Sequence, residues 1–451
     1  MGSNFRSWAG TGYLVLVLLL GGASAAALGS NALLGLAGAV LVGLSLWSTP
    51  LSTGVSTGLR PFMIALAGLA ALQFLPLPPA IWTMLPGRDE VAKGYALAAM
   101  PLPWLNLSLD PWASLQSFAW WIPALALFAS ARMNDAVLSR QIIRVVAIVA
   151  YCSVGLAVVQ VFGGSGYFYA ITNRGNGVGL FANSNHFGSF MLIALALVGG
   201  QWIHDRPIVH RLNPAMAKGS MLLVRLMPFA VGVFLSNSLA CAILFTPVAA
   251  GVLLLFRPQI RIYWPAVALG LPILVAGMLW LLASGWISND LMAKSGTTGI
   301  SRGEFLQNGI AMAKSFAVLG SGLGTFREIY PWFESPDFVG TTFVNHAHND
   351  LLELVIETGL LGIGLLAMFL RWYVGKLRKL WTTDRAGNPV AAAASIAIGA
   401  VLVHSLADYP MRTAAISGLV AICLVLMCRE PDRLGGSADA KQTNRTKQFV
   451  I

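Results

Sequence analysis

Thr341–Gly362 reads TTFVNHAHNDLLELVIETGLLG, and the change of character halfway along it decides how the chain is built. Two of the six histidines, His346 and His348, stand among Asn345, Asn349 and Asp350, and an apolar run begins directly after them. Asp350 followed by Glu353 reads as a helix start, with a side-chain acceptor for orphan N–H groups and an acid near the positive end of the dipole. Continued as a helix, that start aligns Asn349, Glu353 and Glu357 at i, i+4 and i+8. Polar groups where a segment enters hydrocarbon face a cavity or a partner, because lipid offers them none. The stretch therefore predicts the floor of a functional site at the mouth of a membrane helix.

The composition supports the membrane. Of 451 residues, 57% are hydrophobic and 10% charged, with a mean hydropathy of +0.72, outside the range of soluble domains. Apolar runs fall near 11–29, 31–48, 61–79, 112–131, 142–162, 187–203, 221–236, 239–256, 262–283, 351–370, 390–407 and 413–428, which predicts an all-α membrane protein of about twelve transmembrane helices. With the N-terminus in the cytoplasm, only Arg88, Lys93, Arg174, Lys294, Arg302, Lys314, Arg327 and Arg412 of the 29 basic residues lie outside. The net charge of +11 is thus a topology signal and argues against a nucleic-acid partner. Residues 1–434 form one membrane domain with outer loops near 80–111, 163–186 and 284–350, and the first span is a retained insertion signal. The polar tail 435–451 reads as disordered and cytoplasmic. Cys152, Cys241, Cys423 and Cys428 read as core residues, and the tryptophans of 80–111 as interface anchors.

All unusual chemistry falls on one side of this topology. A neutral imidazole takes a proton from a hydroxyl at ambient pH, so His348 is a candidate general base; the bland alternative is an interfacial histidine bonded to a loop carbonyl, which its polar neighbours disfavour. His346, His348 and Asp350 also resemble a metal set, but no third strong ligand is evident, so no metal and no cofactor are predicted. Arg302, Arg327 and Arg174, in an otherwise acidic outer surface, suit an anionic ligand, although each alone reads equally as a surface pair. The LGSGLG run before Arg327 lets backbone approach a ligand closely, without the strand-turn-helix context of a dinucleotide site. His404 and Asp408 share a helix face, with a structural hydrogen bond as the default reading.

These residues resemble the O-antigen ligase and polysaccharide polymerase superfamily. HNDLLELVIETGLLG carries the most specific match, at His348, Asn349, Gly359 and Gly362. Softer matches are Arg302 in its helix, GSGLGTF, FANSNHFGSF (with Asn183 and Asn185), QFLPLPPAIWTMLPGR with NLSLDP, and HSLADYP. One departure stands out: Ser238-Leu239 occupies the place of a Ser-Arg pair, so Arg174 or Arg327 would make the second phosphate contact.

The resemblance implies a GT-C-type architecture with a long helical periplasmic loop, in the bacterial inner membrane, with both termini cytoplasmic. It implies metal-independent, inverting transfer of a glycan from undecaprenyl diphosphate to a hydroxyl of lipid A-core. His348 would be the base and Arg302 would neutralise the leaving diphosphate. Arg174, Arg327, Asn345, His346, Asn349, Asn183 and Asn185 would contact substrate, with Asp350, Glu357, His404 and Asp408 behind them. A polymerase extending its own repeat would use the same residues. A transporter of lipid-linked glycan is the rival of another class, and would show internal repeats and midplane polar groups, which the sequence does not.

Overall fold

The computed structural model describes residues 3–24, 29–48, 58–132, 136–205, 214–255, 302–336, 344–382 and 388–429. Gly29–Trp47, Ser139–Gly163, Ser184–Asp205 and Asp350–Thr382 are long and apolar enough to cross a membrane. Shorter apolar helices occupy Trp8–Leu20, Arg60–Leu72, Met221–Leu235, Leu239–Leu255, Pro389–His404 and Ala414–Cys428, and Pro111–Ala131 is a further helix. The predicted span 262–283 and the tail 435–451 lie outside the described residues. Among the described residues the only strands are Pro76–Leu77 and Leu105–Asn106, paired antiparallel, and the other regular elements are helices, consistent with an all-α membrane protein.

Ser184–Asp205 is the central helix. It is apolar all round, which marks a helix buried on every side, and nearly all of it is buried. Small residues bring its neighbours close, as at helix contacts in lipid. A Cβ on Gly200 would lie 2.4 Å from Ala393 Cβ of Pro389–His404, and one on Gly188 2.6 Å from Cys241 Sγ of Leu239–Leu255. Cys241 and Cys423 are core residues as expected, whereas Cys152 is exposed on its helix.

The helix Asp350–Thr382 is broken at Gly359, with φ +58° and ψ −141°. The carbonyls stranded by the break are answered by the Gly-rich loop that precedes Thr325. Ser321 N–H donates to Ile356 O (3.1 Å), Gly322 N–H to Glu357 O (2.9 Å), and Leu360 N–H to Val318 O (3.1 Å). A Cβ on Gly320 would sit 2.2 Å from Glu357 O, and one on Gly359 2.6 Å from the Val318 carbonyl carbon. The glycines expected to admit a ligand admit the chain's own backbone instead. The loop's other side is gripped by Gln73 Oε1, which accepts from Leu323 N–H at 3.0 Å, and by Ser114 Oγ, which donates to Leu323 O at 2.7 Å. Leu109 N–H donates to Ser321 O at 2.8 Å. Segments around Gln73, Leu109, Ser321 and Gly359 are thereby tied into one knot.

Two local expectations need correction. Asn349, not Asp350, caps the helix: its Oδ1 accepts from Leu351 N–H (3.1 Å) and Leu352 N–H (2.9 Å). Short Asx side chains at adjacent positions compete for that role, and Asp350 is taken by other partners described below. Of the two tryptophans of 80–111, Trp104 is exposed, but Trp82 is buried and donates its indole N–H to Pro103 O at 2.9 Å.

Candidate functional site

The broken helix delivers a face of acids to one end of the bundle. Asp350, Glu353 and Glu357 are spaced i, i+3 and i+7, all three are buried, and all three converge on Arg412. Arg412 ends the 3₁₀ turn Pro410–Arg412. Its Nη2 lies 3.2 Å from both Glu353 Oε1 and Glu357 Oε2, and its Nε 3.6 Å from Asp350 Oδ1. Asp350 Oδ2 also accepts from Ser405 Oγ (2.8 Å) and Met411 N–H (3.1 Å). Buried carboxylates persist when charge-assisted bonds replace water. Burial works against the charge on Arg412, and Glu353, Glu357 and Asp350 more than offset it, so its pKa is raised.

Glu353 joins this clamp to the histidine loop. Its Oε1 accepts from His346 Nδ1 at 2.9 Å and its Oε2 from Ala347 N–H at 2.9 Å. Asn349 Nδ2 reaches Leu406 O at 2.8 Å, and Asp350 N–H donates to Asp408 O at 3.2 Å. The histidine loop and the turn after Pro389–His404 are therefore held in register by side chain and backbone together.

Tyr409 stands at the centre. Three imidazoles pack around its ring: His346 at 4.6 Å between centroids, His348 at 5.0 Å and His186 at 5.1 Å, the last two nearly perpendicular. Its hydroxyl is hydrogen-bonded by the side chains of Asn183 and Ser24, and burial, with Asp408 next to it, pushes the phenol pKa up. His186 and Tyr409 did not stand out in the sequence reading. The only signal was their place in FANSNHFGSF and HSLADYP, each with more prominent neighbours.

His348 holds φ +51°, a left-handed conformation that costs a non-glycine residue about 1–3 kcal/mol and tends to occur at functional sites. It is about one-third exposed, and its Nδ1 stands 3.8 Å from Asp408 Oδ1, beyond a direct hydrogen bond but close enough for charge pairing. Its other side faces Phe305 of the helix Arg302–Ser315, with centroids 5.1 Å apart. Asp408 Oδ1 accepts from Tyr409 N–H at 2.8 Å. Burial raises the pKa of Asp408, the imidazoles of His186, His404 and His348 lower it, and the net direction is down.

The remaining predicted residues divide. Asn183 binds Tyr409, and Asn345 begins the histidine loop half-buried. Asn185 N–H donates to Asn183 Oδ1 at 2.8 Å. His404 is buried with Nδ1 2.5 Å from Ser189 Oγ, so its ring serves the helix contact, while its carbonyl accepts from Asp408 N–H at 3.0 Å. Arg302 starts the helix that carries Phe305. Arg174 and Arg327 are exposed: Arg174 lies 5.5 Å over the Tyr167 ring, and Arg327 Nε 3.5 Å from Glu328 Oε1. At Ser238-Leu239 the chain makes a tight turn with Asn237 at φ +52° before the helix Leu239–Leu255. Among the described residues, no group of three or more His, Cys, Asp or Glu is arranged to hold a metal ion.

The arrangement provides three imidazoles around one phenol ring, a carboxylate behind the partly exposed His348, and a buried charge cluster beside them. The family model described as O-antigen ligase matches residues 226–367. No curated protein matches the chain.

Proposed function

We propose that this chain, whose residues 226–367 match the family model described as O-antigen ligase, transfers a glycan from undecaprenyl diphosphate to a hydroxyl of lipid A-core at the periplasmic face of the inner membrane. The observation that carries the reading is the position of His348: partly exposed, backbone-strained, and backed at 3.8 Å by the Asp408 carboxylate. That combination suits a general base, because the carboxylate favours the imidazolium that forms as the proton arrives.

In the reaction, the acceptor hydroxyl gives its proton to His348 while its oxygen attacks the anomeric carbon. The bond from that carbon to the diphosphate oxygen breaks with inversion, and the electron pair leaves on undecaprenyl diphosphate. Arg302, at the start of the helix packed beside His348, would meet the charge that develops on the leaving group, with Arg174 or Arg327 as the second contact. A diphosphate leaves without being protonated, so no second acid is required, and the reading includes independence from metal. Asp408 steadies His348, while the clamp of Asp350, Glu353 and Glu357 on Arg412 fixes the floor beneath it.

The test is transfer by the purified protein in detergent with EDTA, using a lipid-diphosphate oligosaccharide donor and lipid A-core as acceptor. Glycosylated lipid A-core with release of lipid diphosphate supports the proposal. Activity lost in EDTA and regained with Mg2+ contradicts metal independence. Donor glycan lengthened in place of glycosylated lipid A-core assigns the polymerase reaction instead.

A further inference from the structure

We propose that His346 and Glu353 form a dyad whose free imidazole nitrogen, His346 Nε2, accepts a hydrogen bond from a hydroxyl of the incoming acceptor sugar. The inference rests on the transferase reading and names the atom that would hold its acceptor. It begins with the Nδ1 contact. Glu353 is buried and its Oε1 lies 2.9 Å from His346 Nδ1. An ionised carboxylate only accepts, so the proton in that bond sits on Nδ1. The neutral ring then presents Nε2 as a lone pair, the same logic by which a partner on one imidazole nitrogen fixes the role of the other.

Glu353 is itself held on both oxygens. Arg412 Nη2 approaches Oε1 at 3.2 Å and Ala347 N–H donates to Oε2 at 2.9 Å, so the carboxylate does not depend on His346 for its place. The ring is packed 4.6 Å from Tyr409, which leaves it little room to turn. Nε2 is buried and has no hydrogen-bond partner among the described residues. A buried, rigidly oriented polar atom without a partner is costly, and a ligand that supplies the missing partner recovers that cost.

The polarity of the atom selects the ligand. A lone pair takes a donor, which a sugar hydroxyl is and an ionised phosphate oxygen is not. His346 therefore suits the acceptor sugar, leaving the diphosphate to the arginines and proton removal to His348, two residues away on the same loop.

Steady-state kinetics with lipid A-core and a lipid-diphosphate donor separate these roles. The expected result for His346→Ala is an increase in KM for the acceptor of about fivefold to tenfold, as for a lost neutral hydrogen bond, with kcat within a factor of about three. His346→Gln, which brings a carbonyl oxygen near the Nε2 position and does not titrate, should recover part of the KM. An unchanged acceptor KM in His346→Ala overturns the inference, as does a kcat that falls a hundredfold in both variants. Calorimetric binding of the lipid A-core saccharide alone, with no donor present, keeps the inference separate from the transferase reading. Binding weakened in His346→Ala supports the dyad even if no transfer is seen, and equal binding, or none by the wild type, overturns it.

Discussion

Replacing Arg412 with methionine keeps an apolar stem of similar reach and removes the guanidinium. Three buried carboxylates remain, with unequal support. Asp350 keeps Ser405 Oγ and Met411 N–H, and Glu353 keeps His346 and Ala347 N–H. Glu357 keeps nothing on Oε2, and its Oε1 already has no partner among the described residues. Removing one member of a buried ion pair costs about 3–5 kcal/mol. Because two of the carboxylates retain donors and Arg412 is itself partly exposed, the lower end is expected, about 3 kcal/mol, most of it from Glu357. Thermal unfolding in detergent, followed by intrinsic fluorescence, should show Tm lower by roughly 6 °C, taking about 2 °C per kcal/mol for a long chain. Glu357→Met alone leaves Arg412 its other two partners and should cost about 1 kcal/mol or less. The double variant should then recover about 2 kcal/mol relative to Arg412→Met, because the orphaned charge is gone. The reasoning is refuted by a Tm within 1 °C of wild type for Arg412→Met, or by a double variant that falls as far as the two single losses added together.

Two further outcomes follow from the same structure. Gly320→Ala places a methyl 2.2 Å from Glu357 O at a residue with φ +78°, so a left-handed penalty of about 1–2 kcal/mol adds to the loss of the adjacent backbone bonds, about 1 kcal/mol each. Its Tm should drop by several degrees, while Gly364→Ala, which meets nothing within 4 Å, should leave Tm unchanged or raised; equal effects would contradict the docking of loop on helix break. Asp408 has a lowered pKa in the folded protein. Its contribution to stability is therefore complete above the ordinary aspartate value of about 3.9 and is lost as pH falls toward the lowered one. Stability-versus-pH curves of wild type and Asp408→Asn should run parallel above about pH 5 and converge in acid, and curves that stay parallel into acid would contradict the assignment.

What the sequence disclosed depended on the range of the interaction. Membrane helices are written in runs of apolar residues, so each predicted stretch within the described residues contains a helix, although the helix in the run 61–79 ends at Leu72 and that in the run 11–29 at Leu20. Polar residues at the start of Asp350–Thr382 were equally visible, because nothing in lipid excuses them. The glycines of GSGLGT announced close backbone approach but not what approached: the partner, Gly359, is a helix break whose positive φ no local pattern required. Arg412 was readable as a cation on the same side as His348, yet its three carboxylates lie on another helix. Their spacing matters only once the turn after His404 folds over them. His186 and Tyr409 were hidden for a similar reason, since each is one aromatic or imidazole ring in an ordinary motif and becomes notable only where three distant segments meet. Arg174 and Arg327 were readable as candidate anion ligands by sign and side, but not their resting contacts: Arg174 lies over the Tyr167 ring and Arg327 Nε stands 3.5 Å from Glu328 Oε1.

The central claim is that His348 removes the proton from the acceptor hydroxyl. The most direct test is kcat for glycan transfer by His348→Ala with both substrates saturating, measured beside wild type and with donor binding confirmed by calorimetry. The account predicts normal donor binding and a kcat lower by about 10²–10⁴, the contribution of a positioned general base. A variant that binds donor and transfers glycan within a few-fold of the wild-type rate would contradict it.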